Sequence, residues 1–270
     1  MTNDPASPGD KRYPKLDTSK PQSARIWNYW LGGKDNFAVD RQVGDQVRAV
    51  FPAIVDNARA SRAFLVRAVR YLAGEAGIRQ FLDLGTGLPT ANNTHEVAQQ
   101  VAAECRIVYV DNDPLVLVHA RALLTSSPEG VTDYIDADAR DTDKILHEAA
   151  RTLDFTQPVA IMMLGILGNI PDYDEARSIV CRLLDGVPSG SYLAIADGTN
   201  TSEEIVEGAR VSAKGGHPYT LRGPAQIARF FDGLQLVEPG VVSTPCWRPE
   251  PNSSGPPAEL DGVCGVGRKP

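Results

Sequence analysis

The stretch 81-FLDLGTGLPT-90 decides the fold. Phe81, Leu82 and Leu84 form the apolar run of a buried strand, and Gly85-Thr86-Gly87 follows directly, so the chain turns sharply at the strand end. Glycines at 85 and 87 let the backbone approach a ligand with no Cβ in the way, and Asp83 lies beside the turn. In a dinucleotide-binding turn a third glycine permits close helix–strand packing, with a pyrophosphate on the helix N-terminus. Here Pro89 occupies that region, which disfavours a pyrophosphate. Asn93-Thr94-His95-Glu96 fits a capping box, so a helix is expected to begin there and leave residues 88–92 as loop. A strand followed by Gly-x-Gly is also simply a tight βα turn, and the stretch alone does not separate the two readings.

Outward from this turn the pattern alternates. Strand candidates lie at 80–84, 107–111, 132–136, 159–164, 192–196, 234–238 and 263–267, with helical periodicity between the first five. Such alternation predicts an α/β fold: a Rossmann-like, seven-stranded, mostly parallel sheet with ligands at the carboxyl ends of its strands. Before it, residues 24–72 read as helical, with Phe64, Leu65, Ala68, Val69 and Leu72 on one apolar stripe and Gly74 as a stop. Arg62, Arg67 and Arg70 fall largely off that stripe and read as a solvated face. Residues 1–22 are polar and rich in Pro, Asp, Lys and Ser, the composition of a disordered arm. The expected division is arm 1–22, helical cap or lid 23–74 and core domain 75–270. Residues 212–218 and 245–257 read as loops.

Composition excludes several classes. The 270 residues are 42% hydrophobic, enough for a substantial core, and the formal net charge of −7 provides no global attraction to nucleic acid or an anionic membrane. There is no apolar run long enough to span a bilayer and no signal-peptide core near residue 1. Cys105, Cys181, Cys246 and Cys264 have no CxxC spacing, which points to the reducing cytoplasm. His95, His119, His147 and His217 have no metal-ligand spacing, so no metal is expected.

Two further strand ends carry acids. VYVDND, residues 108–113, ends its strand at Asp111, 24 residues past Gly87, where a carboxylate can accept both hydroxyls of a ribose. IDADARD, residues 135–141, offers Asp138 to an exocyclic adenine amine, with small Ala139 beside it; Asp136 and Asp141 read as solvated or capping residues. Acids that end strands also serve as turn formers. The series of acid, two glycines, ribose acid and adenine acid nevertheless describes a nucleoside without phosphates, and S-adenosylmethionine, whose sulfonium and ammonium are cationic, is such a ligand.

The chain resembles the class I methyltransferases. More narrowly it resembles the mainly actinobacterial S-adenosyl methyltransferase family, once catalogued as a domain of unknown function. The resemblance covers nearly everything from about Ser23 and is carried by 24-ARIWNYWLGGKDNFAVDR-41, 57-NARASRAFLVRAVRYLA-73, 77-GIRQFLDLGTGLPTANNTHEVAQ-99, 107-IVYVDNDPLVLVHARALL-124, 228-ARFFDGLQLVEPGVV-242 and the terminal GVGRKP. It implies that Asp83, Gly85 and Gly87 line the methionine end of the cofactor, Asp111 with Asn112 the ribose, and Asp138 with Ala139 the adenine. After the fourth strand, where many relatives read like Leu-His-x-Ile-Pro-Asp, this chain has LGNIPD, with Gly168-Asn169 in the histidine region. That region faces the methyl group in this fold. The departure keeps open a second reading, an S-adenosylmethionine-binding regulatory or accessory protein without transfer activity.

Methyl transfer is an in-line displacement on an activated sulfonium, so it depends on positioning and water exclusion and needs no universal catalytic residue. No acceptor can be named from the sequence, although a small molecule is expected. Trp27, Tyr29, Trp30 and Phe37 crowd around Gly32-Gly33 and Lys34-Asp35-Asn36. They read either as a packed helical cap or as a lid hinged at the glycines, with Tyr29, Lys34, Asp35, Asn36 and Phe37 facing an acceptor pocket together with Gly168 and Asn169. Pro245-Cys246 beside Trp247 reads as incidental.

Overall fold

In a computed structural model, which describes residues 17–89, 91–123, 126–250 and 256–270, the chain forms one continuous sheet flanked by helices. Strands β1 (Gln80–Leu84), β2 (Arg106–Asp111), β3 (Val131–Asp136), β4 (Ala160–Leu164) and β5 (Tyr192–Gly198) pair in parallel in the order β3-β2-β1-β4-β5. The last strand, β8 (Gly262–Arg268), runs antiparallel beside β5. Beyond it, β6 (Gln235–Leu236) and β7 (Val242–Ser243) both pair with β8, at opposite ends of it. The sequence suggests one strand at 234–238, and the structure has two short ones. Pro239, which has no N–H for a ladder, and Gly240, at φ +87°, interrupt the edge. That break accounts for eight strands where seven were expected.

Both faces of the sheet are covered. α4 (Thr94–Val101) and α5 (Pro114–Leu123) follow β1 and β2, α6 (Thr142–Ala149) follows β3, α7 (Tyr173–Asp185) follows β4, and α8 (Glu203–Lys214) and α9 (Pro224–Ala228) follow β5. Because β1 lies between two helix layers at the middle of the sheet, every one of its residues is buried. Of the expected 88–92 loop, the described residues 88, 89, 91 and 92 lie outside any helix or strand, and Glu96 accepts the Asn93 amide at 2.8 Å, so α4 starts where its capping signal lies. α8 extends through Ser212 to Lys214, which confines the expected 212–218 loop to residues 215–218.

Ahead of the sheet come α1 (Ser23–Trp30), α2 (Ala38–Val50) and α3 (Ile54–Arg70). The stripe Phe64, Leu65, Ala68, Val69 and Leu72 is buried against Phe81, Ile107 and Val97, which makes α3 part of the sheet's own core. Gly74 is not the stop: the helix continues as a π-turn over Tyr71–Glu75, and the chain reverses at Gly77, φ +71°. The arginines on α3 are more than a solvated face. Arg67 donates to the carbonyls of Trp247 (2.7 Å) and Thr244 (2.8 Å), whereas Arg70 makes an exposed ion pair with Glu250. Trp247 itself is fully buried against Phe64 and Tyr71, so the stretch around Pro245-Cys246 is packed structure rather than loose loop.

Helices α1 and α2 form a layer over the carboxyl ends of the strands. Val43, Val47 and Ile26 pack together with Val211 of α8, so α2 lies along α8. Asp40 ties the layer internally, accepting the Gln22 amide at 2.9 Å and the Phe37 amide at 2.8 Å from opposite oxygens. On the other flank, Arg25 of α1 is buried and paired with Asp113, just before α5, at 3.1 Å. Residues 1–16 of the expected arm lie outside the described residues, and 17–22 are tethered through Asp17, whose carbonyl accepts from Arg25.

Candidate functional site

Between this helical layer and the strand ends lies a cavity of about 440 Å³. Asp83, Gly85, Gly87, Asp111, Asn112, Asp138 and Ala139, predicted from the sequence, all line it, and Asn169 does too. They meet there because β1 and β4, where the strand order reverses, open a crevice at their carboxyl ends.

The turn after β1 holds Gly85 and Gly87 at φ +73° and +66°, the left-handed region that favours glycine. The turn and the end of β2 are linked directly: the Gly87 amide donates to Asp111 Oδ2 at 2.8 Å, and the Asp113 amide donates to Asp111 Oδ1 at 3.0 Å. Burial raises the Asp111 carboxyl above its usual range, and these amide bonds counter the shift. Asp83 is held by the Thr94 hydroxyl at 2.6 Å. Burial pushes its pKa up to about 6, opposed by that hydrogen bond and by the nearby Arg62. Arg62, read from the sequence as solvated, lines the cavity and donates to the Ala91 carbonyl at 3.1 Å and to Asn93 Oδ1 at 2.9 Å, fastening the 88–92 loop. Asp138 is more open; it pairs with Arg140, which also reaches Glu175.

The other half of the cavity comes from the helical layer and the far side of the sheet: Trp27, Trp30, Val47, Phe51, Ile205, Leu221 and a few polar groups. Among these is Asp197 at the end of β5, only 8% exposed. Its Oδ1 accepts the Tyr219 hydroxyl and the Gly198 amide. Burial pushes Asp197 up to about 6 and Tyr219 well above its ordinary value. Gly168 lies against the Tyr219 ring so closely that a Cβ would stand 2.2 Å from it, and the Gly168 carbonyl accepts the Thr220 amide. The Gly168-Asn169 departure therefore makes room for Tyr219. Asp197, Tyr219 and Arg62 were not legible as site residues. An acid ending the fifth strand was the available signal for Asp197, but Tyr219 arrives from an irregular segment after α8.

Tyr29, Lys34, Asp35, Asn36, Phe37 and Gly168 do not line the cavity. Tyr29 points to Asp45 at 2.6 Å, Asp35 lies 3.8 Å from His119, and Phe37 lies under the Arg25 guanidinium and packs with Leu88 and Val116. Asn36 and the Asp35 amide both bond to Asn28 Oδ1, at 2.9 and 3.1 Å. The glycine pair is a helix cap rather than an evident hinge. Gly32, at φ +80°, donates to the Tyr29 carbonyl and Gly33 to that of Asn28, closing α1 in a Schellman motif. Near the glycine pair, Trp27, Asn28, Trp30 and Leu31 do reach the cavity.

A family model described as S-adenosyl methyltransferase matches residues 9–270. The chain is similar to a DUF574 family protein of Streptomyces avermitilis MA-4680, with 45% identity and a TM-score of 0.91 over 95% of this chain and 100% of that one. It is also similar to a protein of Thermobifida fusca YX, with 43% identity and a TM-score of 0.87 over 97% of this chain and 99% of that one. An O-methyltransferase family protein of Burkholderia thailandensis, 15% identical with a TM-score of 0.52 over 80% of this chain and 58% of that one, shares the fold. No curated protein matches the chain.

Proposed function

This chain belongs to the S-adenosyl methyltransferase family, and we propose that it methylates a small-molecule acceptor held between the α1–α2 layer and the strand ends. Bound S-adenosylmethionine supplies an activated methyl group on a sulfonium. The residues present suit that cofactor. Asp83 and Asp111 put negative charge beside a backbone turn, and Arg62 next to them is committed to Ala91 and Asn93 rather than offered to a phosphate. In this reading Asp83 and the 85–87 turn take the methionine end, Asp111 and Asn112 the ribose, and Asp138 with Ala139 the adenine. The chain's own contribution to the rate is orientation and exclusion of water by the Trp27 and Trp30 side of the cavity.

The observation that carries this reading is the continuity of the cavity, which runs from the acid-glycine-acid rim to an apolar compartment under the helical layer. A cleft of about 440 Å³ that must also take the cofactor leaves room for a small acceptor better than for a macromolecule. Among the described residues no helix is long and apolar enough to cross a membrane. The four cysteines are free, which supports a cytoplasmic setting. Titration calorimetry with S-adenosylhomocysteine and with NAD tests the cofactor: binding of the first and not the second is expected, and the reverse would refute it. Incubation with methyl-labelled cofactor and a small-molecule cell extract tests transfer. Cofactor binding without label incorporation would favour the accessory-protein reading instead.

A further inference from the structure

The compartment under the helical layer has a charge pattern that selects its ligand. Asp197 and Asp261 both line it, Asp197 with the Tyr219 hydroxyl on Oδ1 and Asp261 accepting the Thr201 hydroxyl at 2.8 Å. The described arginines lining the cavity, Arg62 and Arg140, are both on the cofactor side. Arg222, the cation nearest Asp197, does not line the cavity; it donates to the Leu167 carbonyl at 2.7 Å and stacks over Tyr173 and Phe230. His217 is biased to its neutral form by burial. The same cavity is lined by Trp27, Trp30, Phe51 and Tyr219, the last in contact with Asp197. A desolvated carboxylate walled by aromatic rings favours a cation, and aromatic faces add to that preference. An anionic acceptor would meet repulsion from both carboxylates, offset only in part by Arg222.

Within the methyltransferase reading of the same cavity, we propose that the acceptor is a primary or secondary amine on an apolar, aromatic-sized body, anchored as its ammonium by Asp197. The ammonium gives one proton to the Asp197 carboxylate and becomes the free amine. The nitrogen lone pair then forms the N–C bond to the sulfonium methyl as the C–S bond breaks, with the bonding pair going to sulfur, which leaves as a neutral thioether. The methylated product forms as an ammonium, and Asp197 returns its proton to solvent. A hydroxyl acceptor would bring no positive charge to Asp197, and an oxyanion developing beside that carboxylate would be disfavoured. Tyr219 acts as a positioning residue that fixes the carboxylate.

The test uses the full chain saturated with S-adenosylhomocysteine, titrated with phenethylamine, tryptamine, 2-phenylethanol and 3-phenylpropionate by ligand-observed NMR. The amines are expected to bind at least about tenfold more tightly than the alcohol and the carboxylate, the margin of a charged hydrogen bond. Asp197→Asn should remove that margin while holding S-adenosylhomocysteine affinity within about threefold, and Tyr219→Phe, which keeps the charge, should retain the amine preference. Equal or weaker binding of both amines, or an unaltered preference in Asp197→Asn, overturns the amine assignment and leaves the cofactor reading standing. Failure of S-adenosylhomocysteine to bind sinks the cofactor reading and the assignment together. The wild-type comparison decides the matter if Asp197→Asn does not fold.

Discussion

The two halves of the cavity are built in opposite ways. The cofactor side is made from three consecutive strand ends, each with its acid next to the turn that presents it, and hydrogen bonds tie those neighbouring ends together: Gly87 to Asp111, Asp113 to Asp111, Thr94 to Asp83. The acceptor side is gathered from α1, α2, α8 and the segment around Tyr219, whose members meet only in the finished fold. A ligand shared by a whole family can be recognised by a fixed local motif, whereas a variable acceptor calls for surfaces that can be exchanged without disturbing the sheet. The Arg25–Asp113 pair joins the two halves, with both side chains at most 5% exposed.

Breaking that joint should have the largest effect. Arg25→Ala strands the Asp113 carboxylate in a buried position and should cost about 3–5 kcal/mol of stability, measurable by urea unfolding. A loss under about 1 kcal/mol would mean that the helical layer and the sheet are energetically independent. Next, Asp111→Ala should weaken S-adenosylhomocysteine binding by about 1–3 kcal/mol, roughly 5- to 150-fold, without loosening the helical layer. Equal affinities by calorimetry would remove Asp111 from the ribose contact.

The acids themselves provide a pH comparison. Asp83 has a folded pKa of about 6, above its unfolded value, so between about pH 4 and 6 the folded chain holds more protons than the unfolded one. Asp83 therefore lowers stability as pH rises through that window, while its charged form gains attraction for a cationic cofactor. S-adenosylmethionine affinity should rise about tenfold from pH 5 to 7, and Asp83→Asn should flatten the rise. The groups facing it are Arg62, Thr94 and Asp111. A flat wild-type profile would place the cofactor's charge elsewhere. The smallest effect belongs to Pro89→Gly, about 0.4–1 kcal/mol of stability through unfolded-state entropy, with cofactor affinity unchanged. A gain of NAD binding in that variant would show that Pro89 itself excludes a pyrophosphate.

Legibility followed the same division. The sheet and its acid-bearing ends could be read because an apolar run, a glycine turn and a terminal carboxylate are neighbours in sequence. Gly74 misled because packing of Leu72 and Ala73 in the core carried the helix on as a π-turn. Arg62 misled because it lies off the apolar stripe of α3, and its partners Ala91 and Asn93 come from another element. The residues 34–37 drew attention through their chemistry, yet Asp35 and Asn36 are bonded to Asn28, Phe37 lies under Arg25, and none of the four lines the cavity. The fold contains no local signal for Tyr219, since its role depends on the space left by Gly168.

The packing of α2 along α8 has a consequence for biosynthesis. About 150 residues separate these helices in the chain, and Asp113, the other anchor of the layer, follows Arg25 by nearly 90. At a synthesis rate of about 5–20 residues per second, α1 and α2 leave the ribosome many seconds before the surface they settle on exists. During that interval Ile26, Val43 and Val47 have one another but lack Val211 of α8, so one side of the layer stays open to solvent. The compartment for the acceptor is thus among the last parts of the molecule to be completed, although its first walls are among the earliest to be made.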